Sequence, residues 1–405
     1  MRRHILQVVL PLLITQAACQ TFDPTQLPPV GTFYAPPCPG GRCLPGPYPT
    51  MDKVPDGVPL WTNSVNLTAV PTWPPRPSSM EFGILCNPGD SMNASLGASG
   101  MCDYTCGNKC WRDEVTMCPG QGQWGVTYDD GPSDYTPALL DHLLAINTKV
   151  TFFVIGSRIM ERPDVLHRAY AEGHQICLHT WSHASNTALT NEQIIAETYW
   201  TARAVYQVIG VVPTCMRWPY GDSDDRTRFV LRALGLKVVT WNHDTVDWSI
   251  TDPAVEAQTV TGNFTNWINA AGPAGGNSKT GFISLEHDLF NASASAAPLA
   301  LTLLQKANYT IKRVGDCNNW PSLYIDTSKP INTGLNPALI GAPVANATSS
   351  TAKPTGTATG TAVIRPSAIA NVTGASSNGS GCSKIGVELV GLVVLSVTVL
   401  INALI

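Results

Sequence analysis

The chain has 405 residues and a formal net charge of −4, with 13% charged and 44% apolar residues. That length allows one large domain with appendages, or two domains, and the apolar share supplies a sizeable core. No run of Lys or Arg is present, which argues against a nucleic-acid partner, because neutralising phosphates needs a basic face.

The chain starts "MRRHILQVVLPLLITQAACQ", a basic start followed by an apolar run and then small residues. Residues 1–19 therefore read as a secretory signal peptide cut near Ala18 or Cys19. The run from Ile5 to Ile14 is shorter than the roughly 20 apolar residues a membrane span needs. Residues 20–114 read as a Pro-rich arm followed by a Cys-rich cap, and 15 of the 32 prolines fall between positions 20 and 80. Cys38 and Cys43 could close a small loop. Cys86, Cys102, Cys106, Cys110 and Cys118 lack the paired CxxC spacing of a zinc ribbon. Once Cys19 and Cys382 are removed with the two end signals, ten of the twelve cysteines remain, an even number that points to disulfides in an oxidising compartment. Their pairing is not readable from spacing.

From 115 to 328 the texture changes. The β-branched and aromatic runs "WGVTYDD", "KVTFFVIG", "HQICLHT", "CMRWPYG", "KVVTWNHD", "FISLEHD" and "YTIKRV" read as strands. Between them lie six helical patterns: "YTPALLDHLLA", "PDVLHRAYAEG", "NEQIIAETYWTARAVYQVIG", "DDRTRFVLRALG", "PAVEAQTVTGNFTNWINAAG" and "SAAPLALTLLQKAN". Repeated βα units predict an α/β fold with parallel strands, here a distorted (β/α) barrel of about seven strands. Residues 329–381 read as a Ser/Thr-rich linker or stalk; beyond 343 it holds no aromatic or acidic residue and cannot bury a core. Residues 382–405 end in an apolar stretch from Leu389 to Ile405, preceded by the small residues Asn378, Gly379 and Ser380. This matches the signal for a glycosylphosphatidylinositol (GPI) anchor whose tail is removed, with Asn378 the expected attachment residue. The expected location is the outer face of the plasma membrane or the cell wall, and the expected state is a monomer. Sequons for N-glycosylation occur at Asn66, Asn93, Asn263, Asn291, Asn308, Asn346 and Asn371.

In an α/β barrel the reactive groups gather at the carboxyl ends of the strands. Asp129 and Asp130 end the first run; His179 and His183 follow the third; Arg217 lies on the fourth; Asp244 and Asp247 follow the fifth; Glu286, His287 and Asp288 end the sixth. "HTWSH" spaces His179 and His183 four apart, so that on a helix or tight turn both imidazoles would aim at one point. Two neutral imidazoles and one carboxylate, Asp130, would make a facial set for one divalent ion, Zn2+ or Co2+, with nickel a further occupant. The adjacent Asp129 would then be left for proton work.

In order, "TYDDGP", "HTWSH", "RWPYG", "DTVDW" and "LEH" resemble the five motifs of the polysaccharide deacetylases (carbohydrate esterase family four, the NodB-like domain). With the end signals and stalk, the chain resembles the anchored fungal members of that family that act on chitin. The resemblance implies that Asp129 is the general base, that Asp130, His179 and His183 hold the metal, and that Arg217 orients and charge-balances Asp129. It further implies that Tyr220 offers its backbone N–H to the oxyanion, that His287 is the general acid with Asp247 as its charge partner, and that Trp248 and Leu285 wall the acetyl pocket. Tyr128 stands where Phe is commoner. On this reading the Asp129 carboxyl is held low by Arg217 and the metal, His287 is raised by Asp247, and kcat/KM follows a bell-shaped pH profile. The reaction implied is hydrolysis of N-acetyl groups in chitin or its oligomers, giving chitosan and acetate. Trp181, Trp218 and Trp241 could stack on sugar rings, with ordinary core or rim packing the alternative. The alternatives are an O-acetyl esterase on another wall glycan, and a catalytically inactive cell-wall mannoprotein or adhesin.

Overall fold

A computed structural model of the chain describes residues 48–79, 83–84, 86, 102–106, 109–249, 252–326 and 335–340. The expected signal peptide, the Cys38–Cys43 loop, the sequons at Asn93, Asn346 and Asn371, the anchor residue Asn378, most of the stalk and the apolar tail lie outside the described residues.

Strand β1 (Gln123–Asp129) is flanked by β2 (Thr151–Val154), then β3 (Gln175–Leu178) and β4 (Cys215–Met216), and ends over the site. Both faces of β1 to β3 are buried, so these strands read as near-continuous apolar runs rather than alternating ones. The expected fifth strand is split. Lys237–Val238 (β5) pairs with β4 at one end of the sheet, whereas His243–Asp244 (β6) pairs with β7 (Phe282–His287) at the other. The path is β5-β4-β3-β2-β1-β7-β6, and β8 (Thr310–Lys312) also pairs with β1; every pair is parallel. Residues between β5 and β6 therefore carry one chain run from one edge of the sheet to the other. There the Arg217 side chain donates to the carbonyls of Val239 (3.2 Å) and Thr240 (3.0 Å). The N–H groups of Val239 and Thr240 donate to the Met216 and Val115 carbonyls, so the guanidinium takes up the two carbonyls on this crossing run.

All six expected helices form: α1 (Thr136–Ala145), α2 (Pro163–Ala171), α3 (Asn191–Ile209), α4 (Asp225–Ala233), α5 (Pro253–Ala271) and α6 (Asn291–Lys306). Their ends are set by side chains. Thr190 and Gln193 form a capping box at the start of α3, and Gly210, at φ 74°, ends it in the left-handed region. Asp224 caps α4, and Asp252 with Pro253 starts α5. A short helix over Gly156–Glu161 adds to the expected set. Among the described residues, no helix is long and apolar enough to cross a membrane.

The arm packs on α3. Trp61 is fully buried, stacked 5.0 Å from Tyr199 and edge-on to Trp200. Residues 335–340 return to the same helix, where Arg203 donates to the Ile340 carbonyl and Trp61 to that of Leu339. Four disulfides tie the described body together: Cys86–Cys106, Cys102–Cys110, Cys118–Cys317 and Cys177–Cys215. The last joins neighbouring strands β3 and β4.

Candidate active site

Asp129 and Asp130 lie where β1 ends, and the turn after them has a cis Gly131–Pro132 bond. Asp130 itself has φ 76°, a conformation that costs a non-glycine residue energy and needs support from its surroundings. Asp288 supplies that support: its backbone N–H donates to the Asp129 carbonyl, and its carboxyl accepts from Thr136 Oγ1. A Cβ on Gly131 would come within 2.4 Å of the Asp288 carboxylate, so only glycine fits over it.

The strand-end geometry brings three ligand groups together. His179 Nε2 lies 3.3 Å and His183 Nε2 3.2 Å from Asp130 Oδ1, and the three donor atoms all fall within 4.8 Å of one another. "HTWSH" is not a helix; it is a loop in which Thr180 and His183 both take positive φ. His179 Nδ1 donates to the Arg217 carbonyl at 2.9 Å, which turns Nε2 inward. Asp130 Oδ1 is buried with no hydrogen-bond partner. A buried acceptor left open between two imidazoles fits a cation. Burial pushes the His183 imidazole down to about 4, against the pull of Asp130, so it is a neutral nitrogen donor. Burial also opposes the Asp130 charge, but His183 and His179 outweigh it and hold that carboxyl well below its ordinary value.

Asp129 stands beside this triad, its Oδ1 accepting from Arg217 Nη1 at 2.7 Å and its Oδ2 3.7 Å from His179 Nε2. The same Arg217 nitrogen donates to Thr127 Oγ1 at 2.7 Å. Without a metal ion beside it, the Asp129 carboxyl lies above its ordinary value. Its burial is nearly complete and raises the pKa, and Arg217 and His179 only partly offset that. A base raised toward the working pH accepts a proton more readily.

Beside Asp129 on the neighbouring strand, His287 ends β7 and meets Asp247, the first residue of a short 3-10 turn, Asp247–Ser249. Asp247 accepts from His287 Nδ1 at 2.6 Å and from the His287 backbone N–H at 2.8 Å. Burial disfavours the imidazolium, but Asp247 outweighs it, and with Asp130 and Asp129 it lifts His287 to about 10. Tyr220 has φ 59° and lies exposed with its ring 4.5 Å from that of His183. Leu285 is buried and Trp248 is 59% exposed.

The expected stacking tryptophans are corrected. Trp181 and Trp218 are fully buried core residues, and Trp241 is half-buried over Arg217 and against Tyr104 and Trp111. Trp181 points away from solvent because its indole stacks on Tyr48 and donates to the Thr50 carbonyl. Among the described residues, the large aromatics that face solvent are instead Tyr135, Tyr220, Trp248 and Phe290.

Sequence reasoning missed Glu197. It lies on α3, fully buried, and accepts from the backbone N–H groups of Trp181 (2.6 Å) and Ser182 (2.9 Å), between the two histidines. Nothing in the amphipathic pattern marks it, because it is separated in sequence from the loop it holds.

Residues 116–239 match the family profile described as polysaccharide deacetylase. Chitin deacetylase 1 of Cryptococcus neoformans var. grubii is 35% identical over 340 residues, which is 79% of this chain and 68% of that protein. Chitin deacetylase 2 of the same organism is 40% identical over 199 residues, 49% of this chain and 44% of that one. Chitin deacetylase of Amylomyces rouxii is 37% identical over 215 residues, covering 53% of this chain and 50% of the relative. The solved chitin deacetylase of Colletotrichum lindemuthianum is 29% identical and aligns over 52% of this chain and 95% of its own, with a TM-score of 0.49. This chain belongs to the polysaccharide deacetylases, a family of hydrolases.

Proposed function

We propose that the protein removes N-acetyl groups from N-acetylglucosamine residues of chitin or chitin oligomers, leaving chitosan and acetate. The convergence of Asp130, His179 and His183 beside a separate, Arg-paired Asp129 carries this reading. The triad would hold one divalent ion, Zn2+ or Co2+, and such an ion supplies Lewis acidity toward the acetyl carbonyl and toward water.

The chain's own residues then divide the proton work. Asp129 accepts the proton of the attacking water, while Arg217 orients the carboxylate and keeps it from swinging toward Asp130. The Tyr220 backbone N–H faces the developing oxyanion, where a fixed donor contributes a few kcal/mol (roughly 2.7–4 for one such donor). His287, protonated at neutral pH, gives its proton to the leaving amine, and Asp247 holds the ring in register. One carboxylic base and one imidazolium acid, at the ends of two adjacent strands, suit hydrolysis of an amide. Trp248 and Leu285 wall the space for the acetyl methyl. Secretion, with a GPI anchor placing the enzyme at the plasma membrane or wall, completes the reading; the disulfides favour an oxidising compartment.

The deciding assay is acetate release from defined chitin oligomers by the secreted protein, before and after chelation, and after adding Zn2+ or Co2+ back. Release that stops on chelation and returns with metal supports the reading. Release from acetylxylan only would make it an O-acetyl esterase, and no release from either would leave the adhesin reading.

A further inference from the structure

The acid pair depends on a segment with unusual backbone. Val246, just before Asp247, has φ 61°. That region is a genuine outlier for a β-branched residue and persists only where neighbours over-determine it. The peptide unit joining Thr245 to Val246 is held at both ends. Its N–H, on Val246, donates to Asp244 Oδ1 at 2.9 Å, and its carbonyl, on Thr245, accepts from Asn263 Nδ2 at 2.9 Å. Thr245 is further tied to β7 by donating its hydroxyl to the Leu285 carbonyl at 2.8 Å. Rotating that one peptide unit would swing Asp247 off His287.

Asn263 also begins the sequon Asn263-Phe264-Thr265, in the middle of α5. Phe264 is fully buried beside Trp124, and Thr265 donates its hydroxyl to the Thr261 carbonyl. The amide nitrogen that would carry a sugar is already in contact with the loop, so a sugar attached there would wedge α5 from residues 245–247. The sequon at Asn66 differs, since Asn66 and Thr68 are both exposed.

We infer that Asn263 is a positioning residue for the His287–Asp247 pair and that its sequon stays unglycosylated in the folded enzyme. The positioning half rests on the deacetylase reading; the glycosylation half does not. Peptide mapping of the secreted, active wild-type protein should find the Asn263 peptide unmodified, and Thr265→Ala should keep wild-type kcat with a mass altered only by the substitution. A glycan on Asn263 in active protein would overturn the inference, whatever the substrate proves to be.

Asn263→Asp keeps the shape, exchanges the donor for an acceptor, and should lower kcat by about tenfold or more with little change in KM. Its alkaline pH limb should move to lower pH as His287 loses its hold on Asp247. Asp244→Ala, which frees the other end of the same peptide unit, should reproduce that signature and serves if the first variant misfolds. Wild-type kcat and an unmoved alkaline limb in either folded variant would refute the positioning role. If the wild type releases no acetate, the function reading fails, while the glycopeptide result still decides the sequon.

Discussion

At the scale of single residues, the imidazolium–carboxylate pair makes the sharpest claim. His287 is raised above its ordinary value, so the stability it contributes is fully present below the unfolded histidine pKa of about 6.5 and is lost as pH rises through about 10. Replacing Asp247 by Ala leaves a buried ring without its partner, and truncating one member of such a pair costs about 3–5 kcal/mol. That cost should appear in urea melts at pH 6 and shrink by pH 10 and above; a pH-independent difference would sink the assignment. In activity, His287→Ala should lose about 10²–10⁴-fold in kcat and its alkaline limb together. A His287→Ala variant with near-normal kcat would end the acid role. The recurrence of polar residues at the strand ends was legible in the sequence, because such chemistry gathers at one edge of a parallel barrel; the roles of Arg217 and of the His287–Asp247 pair came from the family resemblance. The near-complete burial of Asp129 was not legible, because burial enters only when the fold encloses the side chain.

At the scale of elements, periodicity found the six helices and most strands but not the split of Lys237–Asp244. A continuous β-branched run looks the same whether it pairs along its length or only at its two ends; what decides is Arg217, more than 20 residues earlier, occupying the gap. Nor does periodicity give the burial of α3. A helix covered by the barrel on one side and by the arm and residues 335–340 on the other buries Glu197, Thr198 and Thr201 along with its apolar stripe. Glu197 thereby becomes the floor of the metal loop, accepting from two successive N–H groups between His179 and His183. Glu197→Gln preserves volume but removes the carboxylate that accepts both N–H groups at Oε2 and the Ser182 hydroxyl at Oε1. Outer-shell changes of this kind cost about 10–100-fold in metal affinity. Titrating chelator-stripped protein with Zn2+ should show that loss while the thermal unfolding of the stripped forms differs little. Equal Zn2+ affinity in the two proteins would mean that Glu197 is only packing.

At the scale of the whole molecule, residues 48–79 of the arm are part of the folded body. The Pro-rich sequence of residues 20–80 has no period, so its docking could not be read; irregular chain earns its place by single anchors rather than by a stripe. Those anchors are Tyr48 stacked on Trp181, the Thr50 carbonyl bonded to the same indole, Asp52 bonded to Ser157 and Arg158, and Trp61 between Tyr199 and the Leu339 carbonyl. Two of these touch Trp181, which sits between the candidate ligands His179 and His183, so the arm braces the site from behind. Cys118–Cys317 spans 199 residues and closes the other side of the body. Trp61 is the deepest of the anchors, fully buried. Trp61→Ala should therefore cost about 3–5 kcal/mol, the range for deleting a buried aromatic. Urea unfolding of the full chain measures it directly. A loss on that scale, accompanied by faster proteolysis within residues 48–79 than in the barrel, is the expected result. A loss under about 1 kcal/mol would mean that the arm lies on the surface without stabilising it, and the bracing of the metal loop from behind would have to be given up.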